Sequence, residues 1–221
     1  MEPGRYVRLS KDAQHWCAGH LTIVVDGDAI GDGREPQWLD DGTIIAAGRE
    51  RGIFLWRKDV TGIWESSVIR ADIASNTLVV HPDGRWGAYT TVPNPRIILW
   101  DGSIREGMAD VAFGSFGEVA FKRHSDGELF VNDQAIGFGH EPRWDDLLCF
   151  TRFGDKGPEP WVRLTDGSVL HAGMGTGEHA VRVVQAPAAD YWILTQEDKR
   201  LLFRPLFSAL GYPLADDANT F

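Results

Sequence analysis

Glu35 and Glu141 are the residues of this chain best placed for chemistry. Each directly precedes a proline in the same local sequence, Gly33-Arg34-Glu35-Pro36-Gln37-Trp38 and Gly139-His140-Glu141-Pro142-Arg143-Trp144. A carboxylate held in this way can ligate a hard divalent cation such as calcium, provided several further oxygens converge on the ion. The sequence supplies no Asn or Asp that can be placed beside either Glu. The same carboxylates can instead accept backbone N–H groups in a repeated loop, a role that explains both copies at once.

Three arginines, Arg8, Arg143 and Arg182, fall on strands expected to open their sheets. Together they would make a cationic lining for a carboxylate or phosphate; singly, each would pair with an acidic side chain of a neighbouring sheet. Trp64 and Trp161 can stack on sugar rings if exposed, or fill gaps between sheets if buried. Asp26, Asp28 and Asp32 lack the spacing and terminal Glu of a calcium loop and read better as hairpin-turn residues. The seven His form no metal or catalytic motif, and no Ser lies in a Gly-x-Ser-x-Gly elbow. No catalytic residue is assigned and no cofactor is expected, a divalent metal at Glu35 or Glu141 being the alternative.

The elements that would position these residues are duplicated. Val25 through Trp38 recurs as Val131 through Trp144 without a gap, at a constant offset of 106 residues, and Trp86 and Trp192 keep the same offset. Val, Ala, Ile, two Gly, Glu, Pro and Trp return in register, which marks an internal repeat. Asp26-Gly27 and Asn132-Asp133 suit the tight turn of a β-hairpin, where positive φ costs Gly, Asn and Asp little.

Short apolar runs separated by Asp-Gly punctuation continue along the whole chain. They divide it into six segments of roughly 35 residues, at 5–33, 34–72, 73–108, 109–139, 140–174 and 175–221. Helical periodicity is absent; Leu201 to Leu210 comes nearest, and Pro205 interrupts it. The expectation is all-β: one compact β-propeller domain over 1–221, with six short blades of about four antiparallel strands. A single twisted four-stranded sheet cannot cover both of its apolar faces, and neighbouring blades do so.

Pro36-Gln37-Trp38-Leu39-Asp40-Asp41-Gly42-Thr43-Ile44-Ile45-Ala46 resembles the TolB-like and WD-repeat-like propeller repeat, which reads roughly Pro-x-Trp-Ser-Pro-Asp-Gly-x-x-Ile-Ala. His81-Pro82-Asp83-Gly84-Arg85-Trp86-Gly87-Ala88-Tyr89 is similar to its second half, and Ser125-Asp126-Gly127 is a fragment of it. The resemblance implies the fold and leaves function open, because these residues build turns and packing. Glu35 before Pro36-Gln37-Trp38 also resembles the metal-ligating Glu of six-bladed lactonases related to gluconolactonase. That likeness implies a metal-dependent hydrolase as one alternative function.

Composition narrows the partners. A formal charge of −10, from 22 basic and 32 acidic residues, opposes a nucleic-acid partner, which needs a basic footprint. No apolar run approaches the roughly 20 residues of a membrane span. Cys17 and Cys149 are the only cysteines, and each lies in an apolar run, so two buried thiols are expected rather than a disulfide framework. The first residues carry no basic-then-apolar signal, so a cytoplasmic or virion-associated location is expected. These features favour a non-catalytic propeller that binds other proteins of a larger assembly, a bacteriophage virion or tail among them. A glycan-binding propeller using Trp64 or Trp161 is the remaining alternative.

Overall fold

The structure is a computed structural model that describes residues 7–73, 77–90, 94–172, 179–185, 191–197, 200–205 and 219–220. The chain divides into two compact units, Met1–Glu106 and Gly107–Phe221. The division falls one duplication length into the chain.

The first unit holds three four-stranded sheets. The first contains β1 (Arg8–Leu9), β2 (Trp16–Gly19), β3 (Thr22–Val25) and β4 (Asp28–Asp32). The second contains β5 (Arg34–Trp38), β6 (Ile44–Ala47), β7 (Ile53–Lys58) and β8 (Trp64–Arg70). The third contains β9 (Thr77–Val80), β10 (Trp86–Thr90), β11 (Arg96–Leu99) and β12 (Ile104–Glu106).

In the second unit, the fourth sheet contains β13 (Met108–Phe113), β14 (Val119–Arg123), β15 (Glu128–Val131) and β16 (Gln134–Phe138). The fifth contains β17 (His140–Trp144), β18 (Leu148–Gly154), β19 (Gly157–Arg163) and β20 (Val169–His171). The sixth contains β21 (His179–Gln185), β22 (Tyr191–Glu197), β23 (Arg200–Pro205) and β24 (Asn219–Thr220). Every sheet is an antiparallel meander in chain order. Met108 opens the fourth sheet, although the sequence assigns it to the third segment. β23 is extended where Leu201 onward comes nearest to a helical pattern. Among the described residues no helix is long and apolar enough to cross a membrane.

Packing explains why the second strands read as unbroken apolar runs. All four residues of β6 are buried. Ile44 and Ala46 join Cys17, Ile23, Val25 and Trp56 between the first and second sheets. Ile45 and Ala47 join Ile53, Leu78, Trp86 and Ala88 between the second and third. A sheet sandwiched on both faces has no solvent side, so the alternation of a half-exposed strand disappears. β18 repeats the arrangement. Leu148 and Phe150 pack with Ala112, Ala120, Leu129 and Val131 of the fourth sheet, while Cys149 packs with Val162, Ala180, Val183 and Ile193. Neither Cys17 nor Cys149 forms a disulfide, both are buried, and burial pushes the Cys17 thiol up to about 12.

The duplication is reproduced in hydrogen bonds. Asp26 and Gly27 have φ of 51° and 99°, and Asn132 and Asp133 have 47° and 66°, the double positive φ of a two-residue hairpin turn. Asp26 Oδ1 accepts from the Trp16 backbone N–H at 2.9 Å, and Asn132 Oδ1 accepts from that of Val119 at 3.0 Å. The β3–β4 register slips between Ile23 and Val24, and that of β15–β16 slips between Leu129 and Phe130, each 106 residues on. Next to the slips, glycine is required by close approach. A Cβ on Gly33 would lie 2.7 Å from Ile23 Cδ1 and 3.1 Å from the Ala47 carbonyl oxygen. On Gly139 it would lie 2.5 Å from Leu129 Cδ1 and 2.6 Å from Phe150 Cδ2.

In the second, third and fifth sheets, the turns between third and fourth strands share an Asp that accepts from the residue two places on. Thr61 Oγ1, Ser103 Oγ and Ser168 Oγ donate to Asp59, Asp101 and Asp166 at 2.7, 2.7 and 2.6 Å. These hydroxyl bonds, with backbone N–H donors beside them, hold the three carboxyls below the usual carboxylate range. A folded pKa below the unfolded one means that the unfolded chain takes up the proton first. The stabilisation is therefore present above the unfolded value of about 4 and lost as pH falls through the folded values. Urea midpoints are expected to stay level from pH 7 to pH 5 and to fall below pH 4. The triple variant Asp59→Asn, Asp101→Asn, Asp166→Asn should flatten that acid limb, because Asn still accepts but does not titrate.

Candidate functional site

Glu35 and Glu141 occupy the same irregularity in their sheets. Both lie inside an opening strand yet have left-handed φ, 54° and 53°. At each, the pairing slips, between Arg34 and Gln37 in β5 and between His140 and Arg143 in β17. Asp110, at φ 50°, marks a similar slip between Ala109 and Val111 in β13. β21 slips between Ala180 and Arg182. A bulge re-aims the side chain at its apex and increases the local twist. It recurs here in four opening strands, β5, β13, β17 and β21.

The surroundings of the two glutamates differ. Glu35 is half-buried. Glu141 is exposed, with Oε2 3.6 Å from His179 Nδ1. The Phe153 ring lies edge-on between two imidazoles, 5.1 Å from His140 and 6.1 Å from His179. One residue back, Arg152 Nε donates to the Phe138 carbonyl at 2.8 Å, which ties Phe138 to the same edge of the second unit. Phe138 and Phe153 are each 60% exposed. A hard cation needs several converging oxygens, and the Glu141 carboxylate has the His179 imidazole beside it. Among the described residues no group of three or more His, Cys, Asp and Glu side chains is placed to hold a metal ion.

The arginines are placed as follows. Arg8 lies on β1 opposite Cys17, and Arg143 lies on β17 opposite Cys149; both are exposed. Arg182 lies on β21 opposite Leu194, and its side chain is outside the described residues. Arg8 belongs to the first unit, and Arg143 and Arg182 to the second. Trp161 is half-buried, with the Arg152 guanidinium 4.2 Å over its ring and His171 edge-on at 5.4 Å.

Trp64 lines the larger cleft, about 460 Å³, at the turn edge shared by the first and second sheets. Its ring centroid is 6.1 Å from that of Trp38, with planes at 58°, and Trp38 is 6.3 Å from His15. The Lys58 ammonium sits 5.2 Å from the Trp64 centroid. His15 Nδ1 is 2.7 Å from Asp26 Oδ2, Ser10 Oγ donates to Asp12 Oδ1 at 2.6 Å, and Lys11 pairs with Asp40 at 3.2 Å. A second cleft, about 410 Å³, lies between Asp32, Arg49 to Arg51, Phe54 and Trp56. Trp64 is a stacking candidate in sequence, whereas His15, Trp38 and Lys58 join it only in the fold. Lys58 and Trp64 bracket the Asp59-to-Gly62 turn symmetrically, which is the signal that would have paired them.

No family model matches the chain, and no curated protein matches it in sequence. Its fold does match solved structures. The Dos1 propeller is 12% identical, with 97% of this chain covering 70% of that one at a TM-score of 0.62. The β-propeller domain of Cps50 (Swd1) from Myceliophteria thermophila is 10% identical, with coverage of 98% and 86% and a TM-score of 0.58. Virginiamycin B lyase from Staphylococcus aureus is 13% identical, with coverage of 97% and 82% and a TM-score of 0.52. Likeness at such identities shows the fold alone, and that fold is the β-propeller implied by the repeat signature.

If the glutamates serve the bulge through the backbone only, glycine should replace them without loss. Glu35→Gly and Glu141→Gly are expected to leave the urea midpoint unchanged or to raise stability by up to about 1 kcal/mol, as left-handed strain is relieved. Glu35→Val should lower it by about 1–2 kcal/mol, because a β-branched residue tolerates that φ worst.

Proposed function

We propose that this chain is a non-catalytic propeller that serves as a protein-binding module in a larger assembly. The observation that carries the reading is the exposed aromatic edge of the second unit. Phe138 and Phe153 are each 60% exposed; Phe153 stands edge-on to His140 and His179, and Glu141 lies beside His179. Large apolar rings presented to water with a polar rim have the composition of a protein interface. Aromatic anchors of this kind carry most of the binding energy where a partner buries them.

The lactonase alternative rests on the Glu35 motif alone, since among the described residues no group of three or more His, Cys, Asp and Glu side chains gathers there. The negative charge opposes a nucleic-acid partner. The assembly we propose is a bacteriophage virion or tail, with the chain cytoplasmic until it is incorporated. The resemblance of compact propellers to assembly modules supports this choice.

Sedimentation of native particles and extract, with the chain followed by antibody, tests the proposal. The wild-type chain is expected to co-sediment with a high-mass particle. The double variant Phe138→Ser, Phe153→Ser should bind it about 30-fold or more weakly, the loss of one hot-spot anchor or more. A wild-type chain found only free, or a double variant retained as well as wild type, would overturn the reading.

A further inference from the structure

The two copies share a framework and differ where the larger cleft lies. Trp38 and Trp144 are equivalent, so Ile44 and Leu148, their respective neighbours across the turn, are equivalent too. Five residues separate Trp38 from Ile44, and three separate Trp144 from Leu148. Opposite Ile44 stands Trp56, and opposite Leu148 stands Arg163. Beyond that level the β7–β8 hairpin continues for two more pairs, Arg57 with Glu65 and Lys58 with Trp64. The β19–β20 hairpin stops there, at Arg163 with Val169. The β1–β2 turn closes from the Ser10 N–H to the His15 carbonyl, one residue longer than its counterpart from Gly114 to Glu118. All three lengthened turns belong to the first copy, and all three line one cleft.

The chemistry they bring selects a ligand class. Trp38 and Trp64 offer inclined indole rings, 6.1 Å apart between centroids. A free organic cation is disfavoured, because the Lys58 ammonium, 5.2 Å from the Trp64 centroid, would repel it. An anion is disfavoured by the carboxylates of Asp12, Asp26 and Asp40. Those carboxylates are themselves matched by Ser10, His15 and Lys11, which leaves a cleft of fixed donors and acceptors with little net charge. Its volume of about 460 Å³ suits a ligand of a few rings. A neutral pyranose has both required properties: a C–H face for the indoles and hydroxyls for the carboxylate and ammonium groups.

We infer that the cleft between the first and second sheets is a binding site for a neutral pyranose oligosaccharide, stacked on Trp64 and Trp38 and hydrogen-bonded by Lys58, Asp12 and Asp40. The site belongs wholly to the first unit, and the aromatic residues proposed to bind protein belong to the second.

The test is a glycan array of neutral, sialylated and sulfated oligosaccharides, including polysaccharide fragments and protein-type glycans. Hits are then titrated by tryptophan fluorescence up to 10 mM, an upper limit set at roughly ten times a millimolar Kd. Neutral pyranosides are expected to bind and to quench the indoles. Polysaccharide fragments alone would place the ligand on a free polymer, and protein-type glycans alone would place it on a glycoprotein; either supports the site. Trp64→Ala should weaken binding about tenfold or more. Because Trp64 also packs on the core, Lys58→Ala, at an exposed position, provides a second variant and should weaken binding severalfold. Phe138→Ser, Phe153→Ser should bind glycan as wild type does, which separates this result from the assembly test. Silence of the neutral glycans, preference for charged ones, or undiminished binding by Lys58→Ala and folded Trp64→Ala would overturn the inference.

Discussion

The framework depends on how closely adjacent sheets approach at the start of each repeat. Gly33 and Gly139 sit where a single added carbon would strike the neighbouring sheet or its backbone. Two residues on, Glu35 and Glu141 take left-handed φ, and the opening strand slips its register around them. The bulge turns the strand so that its prolines, Pro36 and Pro142, are buried. The sandwiched second strands follow, with Ile44 and Ile45 facing opposite neighbours in one unit and Leu148 and Cys149 in the other. The two carboxylates that the sequence singles out thus lie at the register slip where each opening strand begins.

Duplication separates structure from specialisation. Positions that recur do so because each copy meets the same packing and turn constraints, as with Asp26 and Asn132, which differ in charge yet accept the same backbone bond. Positions that do not recur are free of those constraints. The longer turns bearing His15, Lys58 and Trp64 belong to the first copy, and the exposed pair of Phe138 and Phe153 belongs to the second. One ancestral framework thus carries two different surfaces, each on loops or strand ends, where a rigid scaffold tolerates change.

The fold was legible because its signals are local. Asp-Gly and Asn-Asp turns state their own geometry, and the Pro-x-Trp repeat fixes the register between copies. The bulge at Glu35 was not legible, since Glu has no preference for left-handed φ and the conformation comes from pairing on both sides. Arg8 and Arg143 could be placed on opening strands, but their exposure could not be read from sequence. Trp64 could be named as a stacking candidate, yet Trp38 meets it from another strand of the same sheet, and His15, next to β2 of the first sheet, meets Trp38. The exposure of Phe138 and Phe153 could not be read from sequence either, nor could the bond from Arg152 to the Phe138 carbonyl.

The most direct measurement is the unfolding free energy of Gly33→Ala and Gly139→Ala, each made singly and compared with wild type in urea. Both variants are expected to lose about 1–3 kcal/mol, the usual cost of forcing a carbon into a packed interface. Equal losses would show the same close approach in both copies. A variant as stable as wild type at either position would contradict the shared framework on which the reading of both surfaces rests.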